Sequence, residues 1–339
     1  MVGEDRWHER YSRQLVLDPI GEEGQRRLGE TTVAVVGCGA LGSNSAEVLV
    51  RMGFGHVRLI DRDVLELSNL HRARVLGDAH VGQPKAHALA AELLALFPEA
   101  SIEAVDEDLT AGNALALLEG ADLVLDGLDN MTTRYIVNDA CLELGIPWVY
   151  GGIVVTGGLV APLLPEGPCL RCLFPQPPDA GSLPTCESAG IHPSAAGVVA
   201  SIQVAHATRL ALGQLDRPRL IALDIWTDDW RVMEIEARPD CPACSGSERE
   251  FLEEGPGEAI TSLCGQNAVQ INPDRQATID LDVRAREWEK VGQVSRRGPM
   301  LVLDLGDVSI HLFTTGRALV KGTAEVAVAK SLYTRYVGN

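Results

Sequence analysis

The feature that most restricts the fold is Thr31-Thr32-Val33-Ala34-Val35-Val36-Gly37-Cys38-Gly39-Ala40-Leu41-Gly42, a β-branched run entering a glycine pattern and then a helix-like segment. Such a run reads as a buried strand ending at Val36. Gly37 permits a tight turn, Gly39 lets backbone approach a phosphate, and Gly42 lets the next helix pack closely on the sheet. The first N–H groups of that helix have no intrahelical partners and face an anion. Asp61 stands 19 residues beyond Gly42, at the end of a second strand-like run, Val57-Arg58-Leu59-Ile60. Alone, this spacing suits a nicotinamide or flavin enzyme.

The pattern continues as strands over 32–36, 56–60, 101–106, 122–126 and 147–150 and helices over 40–52, 84–96, 112–119 and 131–144. This alternation predicts an α/β fold, a Rossmann-like and mostly parallel sheet with helices on both faces. Residues 4–29 read as helix interrupted at Pro19 and carry the basic pair Arg10 and Arg13. After Tyr150-Gly151-Gly152 come a strand-like run at 153–163, a Pro- and Gly-rich loop at 165–193, a helix over 195–212, and strands at 219–225 and 230–236. This half predicts an antiparallel extension. Its loop holds Cys169, Cys172, Cys186 and His192, and loops of that length are commonly lids, metal sites or crossovers.

The first domain thus spans 1–245, and the polar, acidic stretch 246–259 reads as a linker. Residues 260–339 predict a small α+β domain with strands near 267–271, 277–281, 300–304, 308–313 and 318–320 and helices near 283–291 and 323–336. Two domains also follow from 339 residues at roughly 150 per domain. The net charge of −18 argues against nucleic acid as a partner, because such contacts depend on Lys and Arg displacing counterions. The acidic start lacks the basic-then-apolar order of a signal peptide. No run reaches the roughly 18 apolar residues of a membrane span. A cytoplasmic protein with no membrane partner is expected.

The stretch Asp61-Arg62-Asp63 through Ser68-Asn69-Leu70-His71-Arg72 follows the second strand, at the sheet edge where α/β folds place ligands. Asp61 suits ribose hydroxyls, while Asn69 and Arg72 offer neutral and charged hydrogen bonds to phosphates. Lys85 opens the next helix and adds a point charge. Asp129 follows the fourth strand and suits a magnesium ion, since hard cations take carboxylate oxygen beside phosphates. Taken singly it equally suits an N-cap of helix 131–144. Taken together, these residues point to a triphosphate site.

At this point the chain resembles the ThiF, MoeB and HesA group of ubiquitin-activating-enzyme-like adenylyltransferases over residues 7–245. The matching elements are Arg10-Tyr11-Ser12-Arg13-Gln14, Gly37-Cys38-Gly39-Ala40-Leu41-Gly42, Asp61-Arg62-Asp63, Ser68-Asn69-Leu70-His71-Arg72, Gly82-Gln83-Pro84-Lys85 and Asp129-Asn130. The resemblance implies ATP as substrate, with Gly37, Gly39, Gly42, Asp61 and Asp63 around the nucleotide and Asn69, Arg72 and Lys85 on its phosphates. It implies that Asp129 acts through Mg²⁺ and that Arg13 reaches the ATP site of the other subunit of a homodimer. The implied reaction joins the C-terminal glycine of a ubiquitin-like sulfur carrier ending in Gly-Gly to AMP. A sulfurtransferase or cysteine desulfurase is the implied further partner.

Eight cysteines include the pairs Cys169-Leu170-Arg171-Cys172 and Cys241-Pro242-Ala243-Cys244, separated by 68 residues. Two C-x-x-C pairs suit a tetrahedral Zn²⁺, and the family implies a structural site there. Such a closed site leaves no position for catalysis. Cys186 lies where the family places a cysteine that attacks the acyl-adenylate or carries sulfur; an unreactive loop thiol is the plain alternative, since only the thiolate is nucleophilic. The C-terminal domain departs from the rhodanese-like domain of better-known relatives. Cys264 reads as a packed residue or a sulfur relay, and the domain as a dock for the protein partner. Two further readings stay open here: activation of a ubiquitin-like protein for conjugation, and a NAD-dependent oxidoreductase.

Overall fold

The β-branched run 32–36 is the middle of the five parallel strands of an eight-stranded sheet, and it is buried on both faces. In β1 (Thr32–Val36) the side chains of Val33 and Val35 enter one core, and those of Ala34 and Val36 enter the other. This computed structural model describes residues 4–178, 189–253, 260–263, 267–273 and 278–338, with the side chains of 260–263 left aside. The residues group into two compact units, Met1–Val81 with Lys85–Gly255, and Gly82–Pro84 with Pro256–Asn339.

In the first unit β2 (His56–Ile60), β3 (Ser101–Val105), β4 (Leu123–Asp126) and β5 (Trp148–Val154) join β1 in a parallel array. Three antiparallel strands extend it: β6 (Gly157–Leu163), β7 (Arg219–Asp224) and β8 (Asp229–Glu234). The order is β3-β2-β1-β4-β5-β6-β7-β8. Successive parallel strands step outward from β1 first one way and then the other, so a crevice opens at the carboxyl ends of β1 and β4, where ligands bind in such sheets.

Helices Ala40–Met52, Lys85–Leu96 and Pro193–Ala211 cover one face, and Met131–Leu144 covers the other. Helix Pro193–Ala211 is built of small residues on its buried side, among them Ala195, Ala196, Ala200 and Ala207. That lets it lie close against Ala40–Met52. At the N-terminus, helices Glu4–Leu15 and Gly21–Glu30 flank the Pro19 interruption. The first docks through Gln14, which donates to Gln25 Oε1 at 2.6 Å and to the Met52 carbonyl at 3.1 Å.

The second unit holds a fully antiparallel six-stranded sheet, in order β11 (Gln293–Arg297), β12 (Met300–Asp304), β13 (Ser309–Phe313), β14 (Ala318–Lys321), β10 (Ala268–Ile271) and β9 (Ile260–Leu263). Helices Leu281–Trp288 and Val326–Tyr336 pack on it, with Trp288 buried among Leu301, Leu303, Ile310 and Leu312.

Three expectations need correction here. The strand expected at 277–281 is absent from 278–280, where Asp280 instead caps a helix by accepting from the N–H groups of Asp282 and Val283. That helix ends at Trp288, so the expected 283–291 is shifted toward the N-terminus. Strands β9 and β11 were not expected: β11 reads Gln-Val-Ser-Arg-Arg and is mostly exposed, as an edge strand is.

The glycine turn fixes its own geometry. Gly37 adopts φ 91°, and a Cβ built there stands 2.6 Å from the Gly127 carbonyl oxygen. A Cβ on Gly42 collides with the carbonyl of Gly37. Backbone cannot yield as a side-chain tip can, so Gly42→Ala is expected to cost about 1–3 kcal/mol or more, read as a lowered midpoint in chemical denaturation.

Candidate functional site

The site is assembled at the carboxyl ends of β1, β2 and β4. Asp61 leaves β2 and turns back: its Oδ2 accepts from the Cys38 N–H at 2.6 Å and its Oδ1 from the Asp63 N–H at 2.7 Å. The carboxylate therefore holds the glycine turn and the loop after β2 together. Lys85, which begins its helix, donates from Nζ to Asp63 Oδ2 at 2.8 Å. Its backbone N–H donates to the Asp63 carbonyl at 2.9 Å.

Burial pushes the Asp61 carboxyl up to about 6, with Lys85 holding it back. Burial also opposes charge on Lys85, but Asp63 and Asp61 more than offset it and its pKa is raised. Because the Asp61 value is raised, its contribution to stability is complete below the ordinary carboxylate range and is lost as pH rises through about 6. The ionised form is the one strained by the fold and the one suited to accept hydroxyl hydrogen bonds.

The loop bearing Asn69 and Arg72 is pinned by the helix that follows the glycine turn. Asn44 Nδ2 donates to the Arg72 carbonyl at 3.3 Å, and the Arg74 N–H donates to Ser43 Oγ at 2.9 Å. Buried Glu47 pairs with both Arg74 and Arg51. Arg72 itself donates from Nη1 to the Ser68 carbonyl at 2.7 Å, and Asn69 Oδ1 accepts from the Glu66 N–H at 3.0 Å. Half the amide of Asn69 is thus committed to its own turn.

Asp129 is exposed and makes no ion pair among the described residues, yet it stands near enough to Lys85 to help raise the lysine's pKa. It does not cap the following helix. Asn130 does, accepting from the Thr133 N–H at 2.9 Å. An exposed carboxylate beside Lys85, in the loop after β4, has the donor chemistry for a magnesium ion, which usually takes one or two carboxylates plus phosphate. Arg13 is exposed and likewise forms no ion pair among the described residues. Its neighbour Arg10 is tied to Glu99 and lies over the Phe97 ring at 5.6 Å.

Cys169, Cys172, Cys241 and Cys244 converge, their sulfurs all within 4.8 Å of one another. Cys169 and Cys241 are 3.6 Å apart, and Cys172 and Cys244 3.4 Å. Four sulfurs around a tetrahedral zinc, each at about 2.3 Å from it, stand about 3.8 Å apart, so the set fits that ion. The Arg238 N–H donates to Cys172 Sγ at 3.4 Å, the kind of outer contact that orients a thiolate ligand. Cys186 and Cys264 lie outside the described residues.

The sequence reading missed a buried charged pair below the site. Arg134 donates from Nε to Asp126 Oδ2 at 2.8 Å and from Nη2 to the carbonyls of Leu128 and Gly151 at 2.6 and 2.8 Å. Gln203 reaches the same place from helix Pro193–Ala211, donating to the Asp126 carbonyl at 2.8 Å. A signal was present: Asp126 closes an otherwise apolar strand, and Arg134 follows on the next helix.

Comparison with known proteins extends this picture. A ThiF family model matches residues 11–243. The chain is 37% identical over 335 residues to a sulfur carrier protein ThiS adenylyltransferase of Bacillus subtilis (strain 168), covering 97% of this chain and 99% of that one. It is 38% identical over 248 residues to a SAMP-activating enzyme E1 of Haloferax volcanii, covering 73% and 92% respectively. Among solved structures, Escherichia coli MccB with ATP superposes with a TM-score of 0.60 at 21% identity over 69% of this chain and 74% of that one, a likeness of fold.

Proposed function

The chain belongs to the ThiF family, and from that premise we propose that it uses ATP to adenylate the C-terminal glycine of a ubiquitin-like sulfur carrier. The observation that carries the reading is the joining of Asp61, Asp63 and Lys85 against the glycine turn. Its near full-length likeness to a sulfur carrier adenylyltransferase supports the choice of substrate.

In this reading Asp61 accepts from the ribose hydroxyls, while Gly37, Gly39 and Gly42 let backbone approach the phosphates. Asn69, Arg72 and Lys85 hold the phosphates. The carrier's terminal carboxylate attacks the α-phosphorus, the acyl-adenylate forms, and pyrophosphate leaves. No strong base is needed, because the attacking group is already an anion. Positioning and positive charge near the phosphoryl oxygens do most of the work. Magnesium, held by Asp129, would supply further positive charge to those oxygens. Arg13 of one subunit of a homodimer serves the site of the other.

Cys169, Cys172, Cys241 and Cys244 would hold a zinc ion, which would tie the crossover segment to the stretch after β8. Cys186 takes the acyl group from the adenylate as a thioester, releasing AMP, or carries sulfane sulfur passed from a sulfurtransferase or cysteine desulfurase partner. Residues 260–339 form a module that helps to dock the carrier, and the protein works in the cytoplasm. No helix among the described residues is long and apolar enough to cross a membrane. A second reading, activation of a ubiquitin-like protein for conjugation, draws support from the relative named as an E1. The oxidoreductase alternative falls with the family assignment.

Exchange of labelled pyrophosphate into ATP is expected only with a carrier ending in Gly-Gly, and to fall at least 100-fold in Asp129→Asn, a loss of about 2.7 kcal/mol in transition-state stabilisation. Arg13→Ala and Lys85→Ala should each be inactive alone and regain activity when mixed; no recovery would remove the cross-subunit role. Metal analysis should find one zinc per chain, lost in Cys169→Ser with a lowered unfolding temperature. ATP affinity should weaken as pH falls through about 6, approaching tenfold per pH unit as Asp61 takes up its proton. A fall just as steep in Asp61→Asn would assign the titration elsewhere.

A further inference from the structure

Asp129 is exposed, so packing does not aim its carboxylate. Its neighbours in the chain direct it: Asn130 Nδ2 donates to Asp129 Oδ1 at 3.4 Å. On one side Asn130 is fixed as the cap of helix Met131–Leu144. On the other, Leu128 is gripped at both backbone polar groups: its N–H donates to Asp126 Oδ1 at 2.8 Å, and its carbonyl accepts from Arg134 Nη2 at 2.6 Å. The same two side chains also hold both backbone polar groups of Gly151, whose N–H lies 3.3 Å from Asp126 Oδ2 and whose carbonyl lies 2.8 Å from Arg134 Nη2.

Arg134 is 7% exposed and Asp126 1%. Burying such a pair is usually no more stabilising than apolar residues of similar volume. A buried charge that grips the residue beside an exposed carboxylate is therefore poorly explained by stability alone. We infer that Arg134 is a positioning residue for Asp129: with Asp126 it clamps Leu128 and so holds the Asp129 carboxylate in the place where it takes a divalent cation beside the nucleotide phosphates. The inference rests on the adenylation reading above and goes beyond it, assigning to a buried arginine a share in metal and nucleotide affinity.

Arg134→Lys keeps the positive charge and can still pair with Asp126, but an ammonium cannot reproduce the planar fork that spans the carboxylate and two carbonyls. ATP binding is measured by calorimetry on the full chain, with and without Mg²⁺, for the wild type, Arg134→Lys, Asp129→Asn and the double variant. The expected result is a loss of about tenfold in the Mg²⁺-dependent gain in affinity for Arg134→Lys, the size usual when an outer partner of a metal ligand is altered. Metal-free affinity should stay near the wild-type value. On the Asp129→Asn background the lysine substitution should cost nothing further, because its effect passes through Asp129.

An equal loss on both backgrounds, or a loss equally large without Mg²⁺, would make Arg134 a stability residue only and overturn the inference. Where Arg134→Lys does not fold, Asp126→Asn, nearly isosteric, is put through the same cycle, with the same two outcomes. Wild-type ATP binding indifferent to Mg²⁺ would remove the inference while leaving carrier-dependent pyrophosphate exchange to stand. Absence of that exchange, with the coupling intact, would remove the adenylation reading instead and leave the Arg134 coupling in place.

Discussion

Everything at the site depends on how closely backbone approaches backbone where β1 ends. Gly37 and Gly127 meet there, and Gly42 lies against Gly37, with no room for a Cβ on any of the three. The Gly127 N–H donates to the Val36 carbonyl at 2.7 Å and the Gly37 N–H to that of Ile60 at 2.8 Å. The ends of β1, β2 and β4 are thereby drawn to one point. Residues that leave those strands, Asp61 from β2 and the Asp126–Asp129 loop from β4, have no choice but to surround it.

Electrostatics then builds on that closeness. Lys85 is 12% exposed and bonded to Asp63, with Asp61 acting on it as well. An isolated lysine buried so far would tend to lose its proton, since desolvation disfavours charge. The two carboxylates prevent this, so the positive charge near the turn is permanent. The cost appears on Asp61, whose own carboxyl rises to about 6. A group that brings positive charge or hydroxyl donors to Asp61 would relieve that cost, as the ribose would in the adenylation proposed above.

Much of this was legible in the sequence because it is local. Strand β1, the helix Ala40–Met52 and the parallel order follow from periodicity and glycine spacing over a few dozen residues. The two C-x-x-C pairs announced their cluster by residue type alone, although their partners lie 72 residues apart in the chain. What stayed hidden is non-local or chemically unmarked. Gly127 looks like any loop glycine until Gly37 is set against it. Arg134 stands in a helical pattern like any other basic residue, and nothing in such a pattern tells which charge will be buried beneath a strand end. In the second unit β11 escaped because an exposed edge strand carries no alternation of apolar residues.

The acidity of the whole chain opposes the approach of a polyanion such as ATP. A net charge of −18 repels a triphosphate at long range, but at physiological salt the field of distant exposed charges fades beyond about 8 Å. Within that radius the count is different: Lys85 acts directly, and two of the carboxylates already have work, Asp61 on two N–H groups and Asp63 on Lys85. Asp129 forms no ion pair among the described residues, although Lys85 and Arg134 both lie within reach of its charge. Left bare it would repel phosphate. With a divalent cation upon it the same group would attract phosphate, so the sign of its contribution would be set by the ion, and the hydrogen bonds that hold Leu128 on either side would, on the inference drawn above, decide how well that ion and the phosphates share it.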